Sequence, residues 1–117
     1  MNHKIEHYQN FLKIVDKYKL LFNLPALNPN EEYLLNEIIK HWTDNNKLTV
    51  KAALRLNKSC SASTNFKYLK YLRKNHLLEI ETDEFDNRVK YIKPSALALN
   101  YFSSIDEAML TMTVSVD

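Results

Sequence analysis

The sequence predicts a mainly α domain that carries one small β-hairpin. Three observations lead there. Apolar residues recur every three or four positions through most of the chain, the spacing of helices with one buried face. The spacing changes to two after Asn75 and becomes helical again beyond Pro94. The length of 117 residues, 45% of them hydrophobic, supplies one core without disulfide staples. A single domain over residues 1–117 is expected, with a first helix in 1–24, a central region in 27–94 and a last helix and tail in 95–117.

The first helix is expected over residues 4–22. Ile5, Tyr8, Leu12, Val15 and Phe22 form one stripe, and Phe11, Ile14, Tyr18 and Leu21 form a second beside it. Together they are wider than docking on one small core requires, so the helix is either buried against another protomer or wrapped by its own chain. Pro25 and Pro29 then interrupt the pattern. Asn28 is placed to cap the second helix, with Pro29 at its first position and Glu31 where a capping-box carboxylate belongs. Leu34, Leu35, Ile38, Ile39 and Trp42 form its buried face, Trp42 as a core anchor, up to a stop at Asp44-Asn45-Asn46.

Lys47-Leu48 reads as a short extended piece, and Thr49 as the cap of a third helix over residues 50–56. After the turn Asn57-Lys58-Ser59-Cys60 comes a fourth helix over residues 61–75. Phe66, Leu69, Leu72 and His76 are expected on its buried face, with Ser63, Thr64, Lys67, Tyr68, Lys70, Tyr71 and Lys74 opposite. Leu78, Ile80 and Thr82 then alternate with Glu79 and Glu81. Past a polar turn, Asp83 to Asn87, Val89 and Tyr91 alternate with Arg88, Lys90 and Ile92, which makes a two-stranded hairpin closed by Pro94-Ser95. A last helix over residues 96–110 presents Leu97, Tyr101, Phe102, Ile105 and Met109, and the tail Thr111 to Asp117 is expected to fray.

Two short helices joined by a tight turn and followed at once by a hairpin make the order of a winged helix-turn-helix. Charge agrees with it. Residues 46–76 hold eight bases and no acid, although the whole chain is only +2. The remaining eight bases share the rest with all fourteen acids, a net of −6 there. A merely solvated face mixes signs, so this polarity points to an anionic partner. A helix fits the major groove of B-DNA, and Ser61, Ser63, Thr64, Asn65 and Lys67 lie on the first turns of the fourth helix, where the dipole also favours phosphate. Tyr68, Lys70, Tyr71 and Lys74 further along, Lys51 and Lys58 ahead of the helix, and Arg88 and Lys90 on the hairpin complete the expected DNA-binding set.

Several function classes are excluded. Glycine is absent, and phosphate-cradling loops, dinucleotide fingerprints and nucleophile elbows all need it. Asparagine occurs 13 times and is expected to take glycine's place, as at Asn57 and Asn75. One cysteine makes neither a disulfide framework nor a thiolate zinc site and fits a reducing compartment. No apolar run reaches the roughly 18 residues of a membrane span, and Met1 to Glu6 lacks a signal-peptide core, so a cytoplasmic protein off the membrane is expected. With no carboxylate pair, nucleophile–base set or metal cluster, neither an enzyme nor a cofactor is expected.

From Leu72-Arg73-Lys74-Asn75-His76-Leu77-Leu78-Glu79 through Asp86-Asn87-Arg88-Val89-Lys90-Tyr91-Ile92-Lys93-Pro94-Ser95 the chain resembles the recognition-helix end and wing of MarR-type transcriptional regulators. The resemblance covers residues 27–105 in order and spacing, and the compact size is similar to the SarA-like branch. It implies flanking helices that dimerise, and a wing whose Asp-x-Arg element places Arg88 in the minor groove with Asp86 orienting it. On the residues alone, an Asp two positions before an Arg can hold its guanidinium by paired hydrogen bonds, or form no more than a surface ion pair. The family's usual glycine before the wing is replaced by His76, with Asn75 expected to supply the left-handed turn.

The function expected is that of a homodimeric, sequence-specific regulator of transcription on a pseudo-palindromic double-stranded DNA site. The alternative is a winged-helix module that binds protein or RNA. A small-molecule effector site lined by Tyr8, Phe11, Trp42 or Tyr101 is a further possibility, although those aromatics also suit a core. His3 and His7 lie four apart on a helix, which suits metal ligands as well as exposed surface. Cys60 precedes the basic helix, where Lys58 and the dipole favour its thiolate, or else it is simply a turn residue.

Overall fold

A computed structural model describes residues 4–43 and 45–114 of the chain, with side chains as far as Thr111. Among these, the order is α1 (Glu6–Leu21), α2 (Pro29–His41), β1 (Leu48–Thr49), α3 (Val50–Ala53), α4 (Ala62–Lys74), β2 (Leu78–Thr82), β3 (Lys90–Pro94) and α5 (Ala96–Val114). The chain forms two compact units, one over residues 25–98 and one that joins the first helix to residues from Leu99 onward. No helix among the described residues is long and apolar enough to cross a membrane.

In the unit over residues 25–98, α2 opens on a complete capping box. Asn28 Oδ1 accepts from the Glu31 N–H at 2.8 Å, and Glu31 Oε1 accepts from the Asn28 N–H at 2.9 Å. The helix then lays Leu34, Leu35 and Ile38 into a core with Ala53, Leu69, Leu72, Leu77, Leu78, Ile92 and Ala98. Each large aliphatic side chain so buried stabilises the fold by about 1.5–3 kcal/mol. Trp42 departs from expectation. Its backbone is already extended (φ −76°, ψ 129°) where α2 ends, and its ring is half-buried rather than a core anchor.

The sheet has three strands, not the two of a simple hairpin, in the order β1-β3-β2, all antiparallel. Ile80 faces Ile92 across the hairpin, and Leu48 faces Ile92 from the other side. Two residues of β1 are too few to show alternation, so only the pairing reveals them as a strand. Thr49 is both the end of β1 and the cap of α3, its Oγ1 accepting from the Ala52 N–H at 3.1 Å. The third helix is four residues long, shorter than expected. Beyond it the Arg55 and Leu56 N–H groups bond to the carbonyls three residues back, Ala52 and Ala53, and so tighten into turns.

Both left-handed residues of the described chain end helices in the same way. At α4 the C-cap is Asn75, His76 follows at φ 63°, and the His76 and Leu77 N–H groups return to the carbonyls of Arg73 and Leu72. Asn23 at φ 51° closes α1 likewise, with Asn23 and Leu24 bonding back to Leu20 and Lys19. The closure puts the left-handed position one residue past the cap, so His76, not Asn75, fills the glycine place. Asn57 does not adopt that conformation either. Ser95 locks the far end of the hairpin: its N–H donates to the Leu77 carbonyl, its Oγ to His76 O at 2.5 Å, and that Oγ accepts from Ala98 N–H at 3.1 Å at the start of α5.

In the other unit, Tyr101 and Ile105 are buried and Phe22 meets Tyr101 edge-on at 5.8 Å. No residue of α1 is fully buried. The last helix runs four residues further than expected. Thr111 lies within it, and its Oγ1 donates to Glu107 O at 3.1 Å. The end of the tail, residues 115–117, lies outside the described residues, as does His3 of the histidine pair.

Candidate nucleic-acid interface

Helix α4 is set by its cap and by one buried amide. Ser61 Oγ accepts from the Thr64 N–H at 3.2 Å, donates to Thr64 Oγ1 at 2.9 Å and lies 3.2 Å from Ser63 Oγ, so three hydroxyls gather at the N-terminus. The inward row is Asn65, Leu69 and Leu72, and the outward face carries Ser63, Phe66, Lys67, Lys70, Arg73 and Lys74. This differs from the sequence reading at three residues. Phe66 is 53% exposed rather than buried, His76 is exposed, and Asn65 is 0% exposed, which removes it from the DNA-facing set.

The reason is local chemistry. Asn65 Nδ2 donates to the carbonyls of Leu54 and Asn57, both at 2.9 Å, and of Cys60 at 3.4 Å. Within the turn the Cys60 N–H reaches the Asn57 carbonyl at 3.3 Å, and the amide reaching out of α4 adds a second donor there and bonds the Leu54 and Cys60 carbonyls. Asn57 is buried beside it: its Oδ1 accepts from the Ser59 N–H and Oγ, and its Nδ2 donates to Asn30 Oδ1 at 3.3 Å. Asn30 in turn donates to the Tyr68 hydroxyl at 3.4 Å, and Tyr71 donates to Ala26 O at 3.0 Å. Tyr68 and Tyr71 are thus half-buried struts at the edge of the α4 face, and Thr64 is half-buried at its start. The spacing 65, 69, 72 follows one side of a helix more closely than 66, 69, 72, and that signal identifies Phe66 as a surface residue the apolar pattern misses.

At the wing, Arg88 Nε and Nη2 donate to Asp86 Oδ1 and Oδ2, both at 3.1 Å, a bidentate pair on an arginine side chain that is 90% exposed. Asp86 Oδ1 also accepts the Arg88 backbone N–H at 3.0 Å. The pair sits in the turn before β3, not on a strand as the alternation suggested, so a side-chain-to-backbone turn aligns it rather than the pleat. The arginine and its backbone bond hold the Asp86 carboxyl below the usual carboxylate range, and Asp86 raises Arg88 in return. Asp83 is lowered by the Tyr91 hydroxyl, which donates to it at 2.7 Å, and by the backbone N–H groups of Phe85 and Asp86. Lys90 is exposed and donates to Thr82 Oγ1 at 3.2 Å.

The cationic stretch divides in the structure. Lys47 is taken up by Glu81 at 2.6 Å, where Lys93 also bonds at 3.2 Å, and both lysines lower the Glu81 carboxyl. Among the described residues, none of Lys51, Arg55, Lys58, Lys67, Lys70, Arg73 and Lys74 pairs with a carboxylate, and all seven are exposed. Ser63, Lys67, Lys70 and Lys74 share one face of α4, Lys51 stands on α3, Lys58 in the turn, and Arg88 and Lys90 on the wing.

Other candidates are less well placed. Cys60 is half-buried, its Sγ 3.7 Å from Asn57 Nδ2. No cluster of His, Cys, Asp and Glu among the described residues suits a metal ion. Trp42 borders a cavity of about 160 Å³ with Lys47, Glu81 and Tyr91, while Tyr8 is 62% exposed on α1 and Tyr101 is buried in the helical unit.

No protein-family model and no curated protein matches the chain. Solved structures do resemble it. A complex of S. aureus MepR with DNA aligns over 92% of this chain and 85% of that one, at 19% identity and a TM-score of 0.55. S. aureus MepR bound to ethidium bromide aligns over 94% and 77%, at 18% identity and a TM-score of 0.63. The transcriptional regulator Tm0710 from Thermotoga maritima aligns over 95% and 72%, at 14% identity and a TM-score of 0.61. With its short third helix, its caps and its three-stranded wing, the chain has the winged helix-turn-helix fold of the MarR-type regulators.

Proposed function

We propose that the chain is a sequence-specific, double-stranded DNA-binding regulator of transcription that acts as a homodimer on a pseudo-palindromic site, of the SarA-like branch of the MarR-type proteins. The observation that carries this reading is the outward face of α4, a row of lysines and a serine with no carboxylate to neutralise it. α4 enters the major groove, Lys51, Lys58, Lys70 and Lys74 meet phosphates, Ser63 and Lys67 reach base edges, and Arg88, aligned by Asp86, enters the flanking minor groove. A structural neighbour was solved with DNA, which fits the same reading.

Dimerisation is supported by α1, where Ile5, Tyr8, Leu12, Leu20 and Leu21 are all at least 43% exposed, an apolar surface of the kind monomers seldom leave in water. Two-fold pairing would set the recognition helices one turn of DNA apart, about 10–10.5 bp. A small-molecule effector is a further part of the proposal, since one neighbour was solved with ethidium bromide.

The test is an electrophoretic shift with random genomic duplex at low and at high salt, followed by selection and sequencing of bound fragments. Binding at low salt that weakens steeply with added salt, and a selected site with two-fold symmetry, is the expected result. No duplex affinity at low salt would favour a protein- or RNA-binding module instead.

A further inference from the structure

Phe66 is the one large apolar side chain on the outward face of α4, 53% exposed in a row otherwise made of serine, lysine and arginine. It cannot turn inward. The neighbouring inward position belongs to Asn65, whose amide is held by three carbonyls of the preceding turn, and rotating the helix to bury the ring would break all three bonds. On the helix surface Phe66 adjoins Ser63, three positions before it, and Lys70, four after it. A face that only needed water would not carry the ring. A face that only needed to attract phosphate would not either.

A ligand that suits this surface must present an apolar group within a dense anionic surround. Duplex DNA does so at one place, the 5-methyl group of thymine, which projects into the major groove between two rows of phosphates. Cytosine carries only a hydrogen at that carbon, and adenine and guanine have no methyl group there. We propose that Phe66 is a specificity-determining residue of the α4 surface and packs its ring on a thymine methyl group. The inference rests on the DNA-binding reading and adds a base preference to it.

The experiment removes the methyl group from the DNA rather than the ring from the protein. A duplex selected by the wild-type protein is compared, by fluorescence anisotropy, with copies in which each thymine in turn is replaced by deoxyuridine. At one or two positions wild-type affinity should fall about fourfold, the worth of one buried methyl group. The ratio should not change between low and high salt, whereas the phosphate contacts weaken with salt. Phe66→Ala should bind the thymine duplex more weakly, show no discrimination at those positions and keep the wild-type melting temperature.

Duplex binding that ignores every methyl group, or discrimination that survives in Phe66→Ala, overturns the inference and leaves the DNA-binding reading standing. Absence of duplex binding by the wild-type protein overturns both.

Discussion

Asn65 shows how a polar residue can decide which face of a helix turns inward. Its amide satisfies carbonyls on both sides of the turn between α3 and α4, so removing it leaves buried acceptors without donors. Asn65→Ala should lower stability by about 2–4 kcal/mol, read as an earlier urea midpoint with an unchanged slope. An unchanged midpoint would mean the carbonyls find water instead. In the sequence, polarity suggests exposure at Asn65 and the apolar ring suggests burial at Phe66, and the structure reverses both. Lys67 and Lys74 are simpler, since among the described residues no carboxylate pairs with either. Lys67→Ala should weaken binding to the selected site more than to random duplex, and Lys74→Ala should weaken both alike; equal losses for Lys67 would show that it does not read bases. Arg88→Ala should abolish any preference for A/T-rich flanks, tested by selection with the variant.

The elements themselves were largely legible. Asn28 and Glu31 close the expected capping box with Pro29 at the first position of α2, and Thr49 caps α3 as expected, because capping depends on residues only three apart; Ser61, read as the first residue of the fourth helix, is instead its cap. What stayed hidden depends on partners far away in sequence. β1 is visible only through its pairing with β3, and the left-handed position at His76 only through the helix closure around it. The wing also has a pH response that follows from its geometry. Glu81, Asp83 and Asp86 are all lowered, respectively by Lys47 with Lys93, by Tyr91, and by Arg88. A carboxyl lowered on folding contributes stability above its unfolded value and loses it as pH falls through the folded one. The wing contacts should therefore persist through neutral and mildly acidic pH and fail only below the ordinary carboxylate range of about 4. Carboxyl titration by NMR checks this, and ordinary midpoints at the three residues would remove the ion-pair account.

For the whole molecule, the composition already carried the main polarity, a basic middle and an acidic remainder, but not which bases are committed elsewhere. Lys47 turned out to belong to the wing's own ion pairs. The width of the apolar surface on the first helix is legible as far as Leu21, 66% exposed; Leu20, 82% exposed, lies outside both stripes of the sequence reading. Leu20→Glu with Leu21→Glu should shift a dimer toward monomer in sedimentation velocity and reduce affinity for a two-half-site duplex far more than for a single half-site. A wild-type protein that sediments as a monomer at all concentrations would remove the dimer from the proposal.

The short strand β1 has a mechanical meaning. Thr49 pairs with Tyr91 of the wing and, through its hydroxyl, holds the first turn of α3, so one residue joins the wing to α3. Unzipping the wing's stem then requires α3 to unravel with it. In hydrogen-exchange experiments the amides of Ala52 and Ile92 should open together, as one latch rather than two.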